Sequence, residues 1–248
     1  MYINDINILY YLAIGIVGLL VGQFVDWTNI RLLEYKKVFC REFFEIYLKN
    51  IKLKYSYMLV MCIFYIAILY TCGFGLKTIA FLLLAPMLMA AFIIDYKEKI
   101  IPNRLNLTIF EVGLVYTFAE GIVNINVAIN MLLGMIVGAG IFLIITFIGG
   151  LIAGKEAMGF GDVKFMGALG LFFGWQTIII ISLIAFLLGA IVGIILMFSK
   201  RKTSDDYMPF GPFIVIAVVI AMFIPFNILL FAMLKIFSLG TYQGTLSI

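Results

Sequence analysis

Eight apolar stretches alternate with shorter polar segments along the chain. They cover residues 8–25, 55–71, 78–94, 105–119, 127–153, 163–173, 175–198 and 210–234. Because a transmembrane helix needs about 20 predominantly apolar residues, the pattern predicts an all-α polytopic membrane protein with about eight transmembrane helices. The stretches 105–119 and 163–173 are short, and the second also fits a re-entrant segment buried among other helices.

The composition agrees with this interpretation. Of the 248 residues, 65% are hydrophobic and only 12% are charged, and the mean hydropathy is +1.19. Soluble domains carry about 25% charged residues, which excludes a water-soluble enzyme. The lipid bilayer is therefore an expected partner.

Lysine and arginine residues concentrate in four of the loops between the apolar stretches. These loops hold fifteen of the seventeen basic residues, and only Lys77 and Lys235 fall on the other side of the membrane. Because basic loops stay in the cytoplasm, we expect a plasma-membrane or inner-membrane protein with cytoplasmic basic loops and both termini outside. The distribution of basic residues supports a membrane crossing by the stretch 163–173, since without this crossing the basic cluster at 200–202 would lie outside.

The chain contains no histidine and only three cysteines. The lack of imidazole excludes Ser-His and Cys-His nucleophile systems and HExxH metalloproteases. Cys40, Cys62 and Cys72 form no CxxC pair, so they predict neither a disulfide framework nor a zinc site. No metal and no cofactor are therefore expected, and any catalysis must use carboxylates, lysines, hydroxyls or the backbone.

Glycines recur four residues apart within the apolar stretches. The pairs are Gly18 and Gly22, Gly134 and Gly138, Gly170 and Gly174, and Gly189 and Gly193. Such pairs let helix backbones approach closely in lipid. They are interpreted as packing seams in preference to ligand cradles.

Asp95 follows the apolar stretch that ends at Ile94 and precedes a turn at Pro102. Charged residues are common at the ends of membrane spans. Asp95 is therefore either an interfacial acid paired with Lys97 or Lys99, or a functional carboxylate.

Asp162 follows two glycines, Gly159 and Gly161, and opens an apolar helix. It is either a helix N-cap after a flexible glycine turn, or part of a site where the glycine backbone lies close to an extended peptide.

Glu111 lies within the fourth stretch, where a carboxylate is unfavourable unless it faces the bundle interior or is protonated. Its role stays open between a neutral structural acid, a polar substrate contact and a residue in a wet crevice.

The predicted topology puts Asp95 and Asp162 on the same side of the membrane and at similar depth. Two carboxylates within a few ångströms of each other cannot both ionise easily, so one keeps a proton while the other stays charged. The charged carboxylate can deprotonate a water that attacks an amide carbonyl, and the neutral one can donate to the carbonyl oxygen. The proton belongs to the pair and not to one residue.

Three blocks of sequence resemble the signature blocks of type IV prepilin peptidases, which are polytopic GxGD aspartyl proteases. They are Asp95 followed by Ile101, Pro102 and Asn103, then Gly159, Phe160, Gly161, Asp162, Val163 and Lys164, and then Pro209, Phe210, Gly211, Pro212 and Phe213. The resemblance implies an aspartic endopeptidase with Asp95 and Asp162 as the catalytic pair. It implies substrate-binding positions at Gly159, Gly161, Lys164, Pro209, Phe210 and Gly211.

The same resemblance implies the substrate. Such enzymes cleave type IV prepilins and pilin-like pseudopilins, whose short basic leader ends just before a hydrophobic helix. A basic leader stays in the cytoplasm, so cleavage is expected at the cytoplasmic membrane face, with no nucleic acid as a partner. Lys164 is expected either to favour ionisation of Asp162 or to snorkel to the interface, and the block at 209–213 is expected to form a wall of the site.

The sequence departs from the family pattern in the first cytoplasmic loop. Many prepilin peptidases also methylate the new N-terminus and carry two CxxC zinc pairs in this loop, which here contains only Cys40. A tetracysteine zinc site is therefore not expected, and N-methyltransferase activity is left open. We divide the chain into residues 1–94, N-terminal helices with a shortened loop that lacks CxxC pairs, and residues 95–248, a GxGD aspartyl peptidase core.

The sequence also admits two functions of other classes. A transporter or channel would place charged residues near the bilayer midplane, whereas the acids other than Glu111 lie at the ends of the stretches. A non-catalytic membrane scaffold for an assembly machine would tolerate replacement of both aspartates. Among aspartyl proteases, the presenilin-like group pairs its GxGD with a YD block, whereas Ile94 precedes Asp95 here, which favours the prepilin group.

Overall fold

The computed structural model describes residues 2–4, 6–34, 36, 38, 53–153, 158–198 and 208–238. This part of the chain forms eight helices: α1 (Ile8–Leu33), α2 (Tyr55–Cys72), α3 (Leu76–Glu98), α4 (Asn103–Val123), α5 (Ile125–Ala153), α6 (Phe160–Phe198), α7 (Gly211–Phe223) and α8 (Phe226–Phe237). A short antiparallel pairing of β1 (Tyr2–Ile3) with β2 (Ile6–Asn7) precedes them.

Helices α1 to α6 are long and apolar enough to cross a membrane, whereas α7 and α8 are shorter. This confirms the prediction of an all-α polytopic membrane protein. Local sequence sets several helix ends. The Asn7 side chain caps α1 by accepting a hydrogen bond from the amide of Leu9 at 3.1 Å, and α3 ends where Lys99 adopts a left-handed conformation with φ 59°.

Helix α6 contains two of the predicted spans, because the chain folds back at Gly174. Its 39 residues would measure about 58 Å as a straight helix, roughly twice the hydrocarbon thickness. Gly174 has φ 74° and ψ 171°, which no helical residue adopts. Met166 and Ile178 lie on either side of Gly174, and both pack against Gly138 of α5. The first arm, residues 160–173, and the second arm, residues 175–198, therefore run in opposite directions along α5.

The last predicted span, 210–234, is wrong as a single helix. It is interrupted between α7 and α8, where Ile224 is extended and Pro225 follows. Proline disfavours helical backbone in the residue before it and lacks the N–H that would continue the helix. Helix α8 packs beside the start of the second arm of α6, where Phe226 and Leu230 face Trp175 across a shared crevice.

Five of the eight paired glycines lie where the backbone of a neighbouring helix packs closely, as predicted: Gly18, Gly22, Gly134, Gly138 and Gly170. Gly174, Gly189 and Gly193 meet side chains instead. A Cβ atom on Gly18 would lie 2.8 Å from the Met61 carbonyl oxygen of α2, and one on Gly138 would lie 2.7 Å from the Met166 carbonyl oxygen. Real Cβ atoms do not approach backbone so closely, so these positions admit only glycine without a helix shift. The contacts are with protein backbone, which supports the packing interpretation.

The aspartate end of the bundle is the end where α3 finishes and α4, α6 and α7 begin. The opposite end holds the N-terminal segment, since the Asn4 amide donates to the Tyr70 carbonyl oxygen at 3.2 Å near the end of α2. Lys77 and Lys235, the two basic residues that the sequence separated from the rest, lie on elements at this opposite end.

The predicted domain boundary after residue 94 falls inside α3. This helix packs against helices on both sides of that boundary, and the division into two domains stays a prediction.

Candidate active site

Asp95 lies in the last two turns of α3, with only 3% of its surface exposed. Its carboxylate oxygen Oδ2 accepts a hydrogen bond from the backbone amide of Gly211 at 2.8 Å. Gly211 is the first residue of α7, so its N–H is one of the donors that a helix start leaves without an intrahelical partner. The start of α7 thus points a hydrogen-bond donor and the positive end of its dipole at Asp95.

Gly211 has no room for a side chain. A Cβ atom there would lie 2.6 Å from Oδ2 and 2.9 Å from Cγ of Asp95. Only glycine lets the backbone amide approach the carboxylate at hydrogen-bond distance. The sequence predicted this block to be a wall of the site, and the structure adds a specific contact that the glycine between Phe210 and Pro212 makes possible.

Asp162 lies in the first turn of α6 and is 4% exposed. Its backbone amide donates to the Gly159 carbonyl oxygen at 3.0 Å, which closes the turn before the helix. Its side-chain oxygen Oδ1 is buried without a hydrogen-bond partner among the residues described. Buried polar atoms are usually hydrogen-bonded, so this oxygen is a candidate to meet a water or a substrate group.

Asp95 and Asp162 line one cavity of about 450 Å³, and their carboxyl groups interact electrostatically. Gly159, Gly161 and Lys164 also line this cavity. The structure therefore brings together two buried acids that are distant along the chain, as the predicted topology required. A cavity with two such carboxyls can share one proton between them and hold a water for attack on a carbonyl carbon.

Asn106 of α4 is a site residue that the sequence did not single out. It is buried, and its side-chain amide donates to the Gly161 carbonyl oxygen at 2.9 Å. This bond ties the glycine turn that carries Asp162 to α4. The only signal in the sequence is a polar residue one turn after the Pro102 turn, which by itself resembles an ordinary helix start.

Lys164 is exposed at the rim of the cavity. Its ammonium donates to Oδ1 of Asn103 at 2.9 Å and lies 5.2 Å from the ring centre of Phe160. These contacts connect the starts of α4 and α6. Of the two roles predicted for Lys164, the observed partners agree better with an interfacial position than with a direct pairing to Asp162.

Pro209 and Phe210 are not among the described residues that line the cavity. The Phe210 ring packs against Phe142 and Phe186, with ring centres 5.9 and 5.2 Å away. This aromatic cluster anchors the segment that presents Gly211. Contact of Pro209 and Phe210 with substrate stays a prediction.

Two further predictions concern residues away from this cavity. Glu111 is exposed on α4 and is not among the residues that line the cavity. Cys40, the cysteine of the first cytoplasmic loop, lies outside the described residues, as does the basic cluster at 200–202. In the described ranges, no group of three or more Cys, Asp or Glu side chains is placed to hold a metal ion.

Comparison with known proteins identifies relatives of the segment that holds both aspartates. Residues 82–194 match the type IV leader peptidase family. The prepilin leader peptidase/N-methyltransferase of Aeromonas hydrophila is 34% identical over 152 residues, which cover 61% of this chain and 51% of the relative. The same-named protein of Xanthomonas campestris pv. campestris is 33% identical over 170 residues, or 68% of this chain and 58% of the relative.

A third protein of the same name, from Pseudomonas aeruginosa, is 33% identical over 145 residues, or 58% of this chain and 49% of the relative. The chain thus spans about half the length of the curated relatives it matches. No solved structure matches it. The segment that carries Asp95 and Asp162 is therefore similar to the type IV leader peptidase family.

Proposed function

We propose that this protein is an aspartic endopeptidase that removes the short basic leader of type IV prepilins or pseudopilins at the cytoplasmic face of the plasma or inner membrane. The observation that carries the proposal is the shared cavity of Asp95 and Asp162, two buried acids from distant parts of the chain. The relatives support the choice of substrate, since both are named prepilin leader peptidase/N-methyltransferase.

The hydrogen bonding distinguishes the two acids. The Gly211 amide and the start of α7 stabilise a negative charge on Asp95. Asp162 has a buried oxygen with no donor among the described residues, so the shared proton is better placed on that carboxyl. In this arrangement Asp95 removes a proton from the attacking water, and Asp162 donates to the carbonyl oxygen of the scissile amide as it becomes negative.

The later steps restore the starting state. When the tetrahedral intermediate breaks its C–N bond, the proton held by Asp95 passes to the leaving amine. A hydroxyl of the same intermediate returns a proton to Asp162 as the new carboxyl group forms. The leader departs with a new carboxyl end, and the mature protein keeps a new amino terminus. The proton transfers of this hydrolysis need only the two carboxyl groups and water.

The charge distribution supports a cytoplasmic site. The described basic residues Arg31, Lys97, Lys99, Arg104 and Lys164 lie at or near the aspartate end, whereas Lys77 and Lys235 lie at the other. Because positively charged loops remain in the cytoplasm, the aspartate end would face it. A basic leader held on that side would bring the peptide bond to the cavity.

The test is cleavage of a purified prepilin in detergent by the unsubstituted chain and by Asp95→Asn and Asp162→Asn. Each substitution keeps the side-chain shape but removes a proton carrier, so we expect cleavage to fall by about 100-fold or more. Gly75→Ala serves as the control, since a Cβ atom there meets nothing within 4 Å. Cleavage that persists in both folded aspartate variants would refute the proposal.

A further inference from the structure

An apolar groove lies beside the aspartate cavity, between α4, α5 and the first arm of α6. Its volume is about 880 Å³, in the upper part of the roughly 300–1,000 Å³ range of ligand pockets. Among the described residues, three polar side chains line it, those of Asn103, Asn106 and Lys164, and the other lining residues are apolar or glycine. All three polar residues belong to the starts of α4 and α6, so the groove is polar at the aspartate end and apolar beyond it.

The groove and the aspartate cavity adjoin each other. Asn103, Phe160 and Lys164 line both of them, so the polar end of the groove lies next to the cavity that holds Asp162. A second apolar crevice, between α2, α3 and α7, has a volume of about 430 Å³ and includes Val60. It shares no lining residue with the aspartate cavity, which makes it a natural comparison.

The shape of the groove suits a helix. On α5, the lining residues from Met135 to Leu143 span about 12 Å, or two helical turns. The side formed by Ala139, Gly140 and Gly167 consists of small residues, which let a second helix approach closely in lipid. A Cβ atom on Gly140 would meet nothing within 4 Å, so no described part of the chain fills the space above this glycine.

We infer that this groove binds the apolar helix that follows the scissile bond of the substrate. The inference rests on the proposed function and assigns the substrate's docking surface. A helix satisfies its own backbone hydrogen bonds and needs only apolar contact, which the deep part of the groove offers. The peptide just before the helix is extended and needs polar partners, which are available at the end shared with the cavity. The first two turns of the helix lie in the groove, and the scissile bond reaches the aspartates past Asn103 and Lys164.

The first experiment compares Gly140→Trp with Val60→Trp in cleavage of a full-length prepilin in detergent. The indole at residue 140 fills the groove, and we expect the KM to rise by about tenfold or more, the effect of excluding one large buried apolar side chain. The indole at residue 60 occupies the other crevice, and we expect it to leave the KM within about twofold. Thermal unfolding in detergent verifies that both variants are folded.

The second experiment does not depend on activity. A photoreactive benzoylphenylalanine replaces Gly140 or Val60 in chains that also carry Asp95→Asn, and each is irradiated with prepilin. We expect a prepilin adduct at position 140 and none at position 60. An adduct at position 60 alone, equal adducts at both positions, or only lipid adducts at position 140 would each overturn the inference.

The experiments distinguish failure of the groove assignment from failure of the proposed peptidase function. If the groove assignment is wrong, the unsubstituted chain still cleaves prepilin while Gly140→Trp leaves the KM unchanged or Val60→Trp raises it as much. If the proposed function is wrong, the unsubstituted chain cleaves no prepilin and the inference falls with it.

Discussion

The contact between Gly211 and Asp95 allows a sharp test of how the carboxylate is held. In Gly211→Ala, the added Cβ atom would lie 2.6 Å from Oδ2 of Asp95, so the methyl group and the carboxylate cannot both keep their places. The 2.8 Å hydrogen bond from the Gly211 amide must lengthen or break. A hydrogen bond to a charged group contributes about 1.5–3 kcal/mol.

If that hydrogen bond stabilises the reactive ionised carboxylate, its loss should lower kcat/KM by about 10- to 150-fold, since each 1.36 kcal/mol is tenfold in rate. The assay is prepilin cleavage in detergent, with thermal unfolding measured in parallel. Gly75→Ala is the matched control, because it adds a methyl group at the other end of α3, where no atom lies within 4 Å. Cleavage by a folded Gly211→Ala within about twofold of the control would show that the Gly211 hydrogen bond does not stabilise the reactive carboxylate.

Three further predictions concern the proton, the glycine turn and the reversal of α6. Activity should be bell-shaped in pH, because low pH protonates both Asp95 and Asp162 and high pH removes the shared proton; kcat/KM across pH measures this. Asn106→Leu should destabilise the fold by about 1–3 kcal/mol, because the half-buried Gly161 carbonyl loses its donor, as measured by denaturant unfolding. Gly174→Ala should cost about 1–3 kcal/mol, since φ 74° strains alanine, as measured in the same way.

Each of these predictions has a result that contradicts it. Activity that rises steadily toward alkaline pH would show that no proton needs to be retained by the pair. Asn106→Gln is the comparison for Asn106→Leu, because it keeps an amide donor, and equal losses in both would point to packing instead of the hydrogen bond. For Gly174, stability equal to that of Gly75→Ala would mean that the reversal does not require glycine.

The apolar pattern determined most of the architecture. Runs of apolar residues predict helices because lipid offers the backbone no hydrogen-bond partners, and seven of the eight predicted spans correspond to a helix or to one arm of α6. The count of basic residues favoured 163–173 as a segment separate from 175–198, and α6 reverses between them at Gly174. The break at Pro225 was missed because the run from 210 to 234 is apolar on both sides of that proline.

The candidate acids were also visible in the sequence, because a charged residue beside an apolar run is unusual in lipid. The resemblance of their flanking blocks then indicated a peptidase. The sequence pattern could not predict the contacts around these two acids. The donation from Asn106 to Gly161 joins residues 55 positions apart, and that from Gly211 to Asp95 joins residues 116 positions apart.

Hydropathy and charge are properties of single residues and short windows, so they were enough to predict the class of protein, most of its spans and the two candidate acids. Helix packing adds that Asp95 receives a helix N-terminus, that Asp162 has an oxygen without a partner among the described residues, and that an apolar groove lies beside them. These features depend on how separate helices pack, and packing is set by the fit of many side chains at once.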